Sequence, residues 1–245
     1  MESKKKTVLV TGSSRGIGRA IALAFGRAGY NVALNASKSA AQLEETKSLL
    51  ESEAIPVLAV LADVSDYEGC KLLFAKIEET FGMVDVLVNN AGISHIGLFT
   101  DMTPAEWNHV LDVNLGSVLN CTHLAVPAMV SEKDGVILNI SSMSAIRGIP
   151  DPVNNNGIYT ATKFATNGFT ECMQKYLLKY GIRVTALCPG STATSWWTRW
   201  THSFGTDAML PVDTLADIAE LIVTSPEKVL FKQLQVLPTV EIDNF

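Results

Sequence analysis

Thr7-Val8-Leu9-Val10, running into Thr11-Gly12-Ser13-Ser14-Arg15-Gly16-Ile17-Gly18, is the stretch that decides the fold. The first four residues make a short buried strand. The glycine turn gives way to a helix with Ile21, Ala24, Phe25 and Ala28 on one side. Strand, glycine-rich turn and helix in that order describe the first unit of a dinucleotide-binding sheet. Glycines there let the backbone approach a pyrophosphate, and helix N–H groups face it. The glycine spacing differs from the commonest G-x-G-x-x-G form. A plain strand–helix connection also uses such residues, so the rest of the chain must carry the reading.

The pattern continues outward from that unit. The second strand is expected over 31–35, and its end reads Asn35-Ala36-Ser37-Lys38. No acid stands there to take an adenosine 2′-hydroxyl, while Arg15 and Lys38 can supply positive charge. The balance favours NADP(H). A helix over 40–53 and a strand over 56–61 lead to Asp63-Val64, at the edge where ligands of such sheets gather. Ser65 reads as a cap for the helix over 67–81. A strand over 84–88 ends in Asn89-Asn90-Ala91-Gly92. That is an ordinary turn by composition and a cofactor contact by position.

Thr103-Pro104-Ala105-Glu106 has the form of a capping box with proline in the first turn. The helix it opens is expected to reach about Met129, with Asn114 in its apolar middle. Asparagine costs roughly several tenths of a kcal/mol relative to alanine inside a helix, and a buried amide needs partners. Asn114 is therefore functional or locally structural. His95, His109 and His123 share no metal-ligand spacing and read as surface or satisfied core residues, so no metal is expected. A strand over 135–140 delivers Ser141-Ser142, and the turn-rich segment 147–157 follows.

That segment leads into Tyr159-Thr160-Ala161-Thr162-Lys163, the start of a run with Phe164, Ala165, Phe169, Met173 and Leu177 at helical spacing. Residues four apart share a helix face, so the Tyr159 hydroxyl and the Lys163 ammonium can meet at one site. A tyrosine ionises near pH 10 (roughly), and an ammonium beside it would favour the phenolate. Taken alone the spacing is weak, because such pairs often just cover surface.

Composition sets the limits. At 245 residues, 47% of them hydrophobic, the chain can bury one large α/β core. The net charge of −6 argues against nucleic acid or an anionic membrane as a main partner. Lys4-Lys5-Lys6 reads as a solvated tail. No apolar stretch is expected to approach a membrane span. Cys70, Cys121, Cys172 and Cys188 are scattered, and read as reduced packing residues of a cytoplasmic protein.

Taken together, Thr11-Gly12-x-x-x-Gly16-x-Gly18, Asp63, Asn89-Asn90-Ala91-Gly92, Asn114, Ser142, Tyr159-x-x-x-Lys163 and Cys188-Pro189-Gly190 with Thr194 stand in one order. In that order the chain resembles the classical short-chain dehydrogenases/reductases, nearest to 3-oxoacyl-carrier-protein reductases. The resemblance implies one doubly wound α/β Rossmann domain over 1–245, with a parallel sheet of about seven strands and a substrate loop at about 190–211. It implies that Tyr159 is the acid in carbonyl reduction, that Lys163 lowers its pKa and holds the nicotinamide ribose, and that Ser142 bonds the substrate oxygen. Asn114 would hold a water behind Lys163, Asp63 the adenine amino group, and Asn90 would sit by the adenosine ribose. The expected cofactor wall is Gly12, Ser14, Arg15, Gly16, Ile17, Gly18, Ser37, Lys38, Asp63, Val64, Asn90, Ala91, Gly92, Tyr159, Lys163, Pro189, Gly190 and Thr194. A homo-oligomer, dimer or tetramer, is also implied.

The chain departs from the family pattern in three places. Ser142 and Tyr159 are 17 residues apart, longer than in close relatives, so Ser144 stands as a substitute for Ser142. Trp196, Trp197 and Trp200 crowd the short substrate loop, and the family's closing Gly-Gly is missing near Pro238. The loop 147–157 and the tryptophans are expected to face each other across the substrate mouth, with Gly148 and Gly157 as hinges. The expected activity is NADPH-dependent reduction of a ketone or the reverse oxidation, on a carrier-bound 3-oxoacyl thioester or a free hydrophobic ketone. A cofactor-binding sensor without turnover is the alternative from another class, and the intact Asn–Ser–Tyr–Lys set speaks against it.

Overall fold

The computed structural model describes residues 5–95, 97–148, 157–196 and 205–244. Strands β1 (Thr7–Val10), β2 (Asn31–Ala36), β3 (Val57–Leu61), β4 (Val86–Asn89), β5 (Gly135–Ile140), β6 (Ile182–Pro189) and β7 (Gln233–Val236) form one sheet in the order β3-β2-β1-β4-β5-β6-β7. Every pairing is parallel. The order reverses between β1 and β4, and ligands of such sheets bind at that point, beyond the carboxyl ends of the strands.

Among the described residues seven α-helices separate the strands: α1 (Gly16–Arg27), α2 (Ala40–Ser52), α3 (Tyr67–Phe81), α4 (Pro104–Leu111), α5 (Ser117–Glu132), α6 (Gly157–Leu177) and α7 (Val212–Thr224). Strand residues alternate in direction, so each sheet face meets its own helix layer. Val8, Val10, Val32, Leu34 and Leu138 pack under α1, α2 and α7. Leu9, Ala33, Leu87, Ile137 and Val184 pack under α3, α5 and the end of α6. With both faces covered, the strands are nearly continuous apolar runs, as parallel sheets require.

Several expectations are corrected. Asp66, not Ser65, caps α3 by accepting the Gly69 N–H. The Ser65 hydroxyl and N–H both donate to Asp63 Oδ1. Pro104–Glu132 is a continuous helical run, long and apolar enough by length and composition to cross a membrane. Its apolar side instead packs on α3 and the sheet. Cys70, Cys121 and Cys188 are buried packing residues, whereas Cys172 is exposed. The capping box at Thr103 and Glu106 forms as expected.

Candidate active site

At one end of the sheet's carboxyl edge the glycine turn is held by β2 and β4. The Ser13 N–H donates to Asn35 O at 2.9 Å, and the Asn35 N–H returns a bond to Ser13 Oγ at 2.9 Å. Asn90 Nδ2 donates to the carbonyls of Thr11 and Gly12 at 2.9 and 3.0 Å. A side chain at Gly18 would collide with that amide and with the Gly12 carbonyl, so only glycine lets α1 start so close to β4. Asn89 takes no part here. Its amide donates to Asn139 Oδ1 at 2.8 Å in the core, because successive residues at a strand end point opposite ways.

At the other end, β5 delivers Ser142, whose Oγ accepts the Ser144 N–H at 3.1 Å in the short 3₁₀ turn Met143–Ala145. Ser144 lies beside it and spends its N–H on Ser142. From α6, Lys163 is buried and its Nζ donates to the Ile140 carbonyl at 2.8 Å. That nitrogen lies 5.6 Å from the centre of the Tyr159 ring.

Burial pushes the Tyr159 phenol above its ordinary value, with the Ser142 hydrogen bond opposing. Burial also brings the Lys163 ammonium down to about 8. The expectation that Lys163 lowers the tyrosine's pKa is not met by these groups. Desolvation is the leading cause for each group, and what opposes it at the phenol comes from Ser142 and not from Lys163.

Asn114 stands behind this pair, in a π-helical turn, Asp112–Gly116, that joins α4 to α5. The Ile93 N–H donates to its Oδ1 at 2.8 Å, and its Nδ2 donates to Ile93 O at 2.9 Å and Thr162 Oγ1 at 3.1 Å. The widened turn aims the amide across to β4's loop and α6, and such turns are common at functional sites. A side chain on Gly92 would come within 3.5 Å of Asn114 Oδ1 and 3.9 Å of Lys163 Nζ, so the two groups flank one small space.

Both ends open on a single cleft of about 620 Å³. The glycine turn (Gly12, Ser14, Arg15, Gly16, Ile17, Gly18) and Ser37, Lys38, Asp63 and Val64 line it. So do Asn90, Ala91, Gly92, Ser142, Tyr159, Lys163, Pro189, Gly190 and Thr194. Asn114 alone of the expected site residues is set back from the wall. His109, read above as surface or core, also lines the cleft, as do Ser191, Thr192, Trp196 and Glu241. The Trp196 ring centre lies 6.0 Å from that of Tyr159, tilted by 50°. Residues 149–156, Trp197 and Trp200 lie outside the described residues, and with them the expected facing of loop and tryptophans. Among the described residues no cluster of His, Cys, Asp and Glu is arranged to hold a metal.

A seven-stranded doubly wound sheet with Ser, Tyr and Lys at its carboxyl edge defines a dinucleotide-dependent oxidoreductase fold and site. The short chain dehydrogenase family model matches residues 6–203, and the chain belongs to that family. It lies near the 3-oxoacyl-acyl-carrier-protein reductases. A 3-oxoacyl-[acyl-carrier-protein] reductase of Staphylococcus aureus is 40% identical over 185 residues, 76% of this chain and 74% of that protein. The crystal structure of a Brucella melitensis 3-oxoacyl-[acyl-carrier protein] reductase with bound NAD superposes with a TM-score of 0.83 at 31% identity. That match covers 96% of this chain and 90% of the other. A metagenomic short-chain oxidoreductase in complex with NADP gives 0.82 at 29% identity, covering 96% and 97%.

Proposed function

We propose that this chain reduces a ketone to a secondary alcohol with NADPH, and that a 3-oxoacyl thioester is its first substrate to test. The observation that carries the reading is the convergence of Ser142, Tyr159 and Lys163 on the cleft that also begins at the glycine turn. The relative named for 3-oxoacyl-acyl-carrier-protein reduction supplies the substrate class. We take residues 1–245 as one cofactor-binding unit with a substrate loop at about 190–211, assembled as a homo-oligomer.

The wall fits a pyrophosphate dinucleotide. The N-terminus of α1 faces the cleft, and backbone N–H groups there suit phosphate. Arg15 and Lys38 line the same end, beside Ala36 where an acid would repel a 2′-phosphate. These charges support NADPH over NADH. When bound, the reduced nicotinamide supplies the hydride. Tyr159 gives its phenolic proton to the carbonyl oxygen, and its raised pKa keeps that proton in place at neutral pH. Ser142 hydrogen-bonds the same oxygen and steadies the charge developing there. Lys163 would hold the ribose hydroxyls, and Asn114 is a positioning residue that would carry a water behind it.

A free hydrophobic ketone is the second reading, favoured by the Trp196 ring set against Tyr159. Steady-state NADPH oxidation with a 3-oxoacyl thioester and a panel of free ketones separates the two. The first reading expects the thioester to give the highest kcat/KM. Tight NADPH binding with no turnover on any carbonyl would instead make the chain a non-catalytic sensor.

A further inference from the structure

The 3₁₀ helix Thr239–Asn244 has an inverted pattern. Its apolar residues Val240 and Ile242 are 49% and 64% exposed, while the acid between them, Glu241, is only 8% exposed. A segment docked for packing would bury the apolar pair, so the buried carboxylate is the informative feature. A charge in that setting needs hydrogen bonds.

Glu241 finds them on the residue that follows Pro189-Gly190. The Ser191 N–H donates to its Oε2 at 3.1 Å, and the Ser191 hydroxyl donates to its Oε1. The approach is so close that a side chain at Gly190 would sit 2.5 Å from Oε2 and 3.0 Å from Leu237 and Pro238. A larger residue at 190 would push the Glu241 carboxylate away from Ser191. From Ser191 the connections run outward. Its carbonyl accepts the Leu210 N–H at 2.9 Å, and the Ala193 N–H donates to Leu210 O at 2.8 Å. Two residues beyond Thr192, Thr194 lies against Gly16, where an added Cβ would meet its methyl at 3.4 Å.

We propose that Glu241 is a positioning residue for the nicotinamide half of the cofactor site. Its carboxylate fixes Gly190–Thr192 on the Tyr159 side of the cleft, where the Trp196 ring that follows lies 6.0 Å from that of Tyr159. The inference rests on the dinucleotide reading above. It assigns to the C-terminal segment a role in closing the cleft on one half of the ligand only.

The test compares NADPH with 2′,5′-ADP, which keeps the phosphorylated adenosine end and lacks the nicotinamide. Binding of both is measured by calorimetry to the unmutated chain, Glu241→Ala, Glu241→Gln and Ser191→Ala. Glu241→Ala should weaken NADPH about tenfold and leave 2′,5′-ADP within about twofold, one charge-assisted hydrogen bond being worth that much. Glu241→Gln, which keeps an acceptor for the Ser191 N–H, should recover most of the loss. Ser191→Ala removes one hydroxyl and should weaken NADPH about threefold, so the proposal stays testable if Glu241→Ala fails to fold. Equal weakening of both ligands, or unchanged NADPH binding in the variants, overturns the proposal alone. Failure of the unmutated chain to bind either ligand overturns the dinucleotide reading and this inference with it.

Discussion

The glycine-turn end of the cleft and the Tyr159 end are built in different ways. The first is made largely of consecutive residues: Gly12 to Gly18 in one turn, Ala36 to Lys38 at one strand end, Asp63 and Val64 at the next. Its hydrogen bonds, such as Ser13 with Asn35, join neighbouring strands across the sheet. The second is assembled from β5, α6, the loop after β6 and the C-terminal 3₁₀ helix. Its contacts span long stretches of chain, with Ser191 and Glu241 fifty residues apart. The first end is a local motif. The second exists only once the sheet is complete, so substitutions there should change chemistry and substrate choice and leave the 2′-phosphate preference alone.

Among the effects on binding and stability, the largest that would sharpen this contrast is at the glycine-turn end. Ala36→Asp puts a carboxylate on the wall beside Lys38 and should weaken NADPH by about 1.5–3 kcal/mol, ten- to a hundredfold. NADH should gain a partner for its 2′-hydroxyl, and kcat with saturating NADH should stay within about threefold. Equal kcat/KM for the two cofactors in the unmutated chain would contradict the assignment of that end.

Lys163 gives the next effect, on stability. Its ammonium titrates near 8 in the folded chain, below its ordinary value, so the unfolded chain binds more protons from about pH 8 upward. Folding stability should therefore rise with pH through that range, and the buried charge should cost roughly 3 kcal/mol below it. Lys163→Met removes the charge. It should be the more stable protein at pH 7, and its advantage should shrink by about 1 kcal/mol by pH 9, read by urea unfolding at both pH values. Parallel stability curves would show that Lys163 is not desolvated as described.

The smallest effect belongs to Trp196. Trp196→Ala removes the ring set 6.0 Å from Tyr159 and should raise KM for bulky apolar ketones about fivefold, with NADPH affinity unchanged. A rise in KM that is the same for acetone-sized and bulky ketones would remove Trp196 from substrate selection.

The same contrast explains what could be read from the sequence. The Thr103–Glu106 capping box, the strand–turn–helix at Thr7 and the Tyr159–Lys163 spacing are all written within a few residues, and each forms as its local chemistry requires. Asn114 stood out as a polar residue in an apolar helix, but the π turn that aims it gives no sequence pattern of its own. Asn89 and Asn90 look alike in sequence and face opposite ways. Ser65 and Asp66 are both acceptable caps, and Asp63 claims the serine. Glu241 carried no signal. Its neighbours are apolar, its partner is fifty residues away, and only the exposure of Val240 and Ile242 marks it.

The central claim is that Tyr159 is the proton donor at an otherwise independent chemical end of the cleft. It is tested most directly by one variant, Tyr159→Phe, in which the ring remains and only the ionisable hydroxyl is lost. NADPH affinity by fluorescence titration and kcat for ketone reduction are measured on the same sample. NADPH should bind within about twofold of the unmutated chain while kcat falls by roughly 10²–10⁴, the range of a positioned general acid. Retention of most of the kcat would contradict the account.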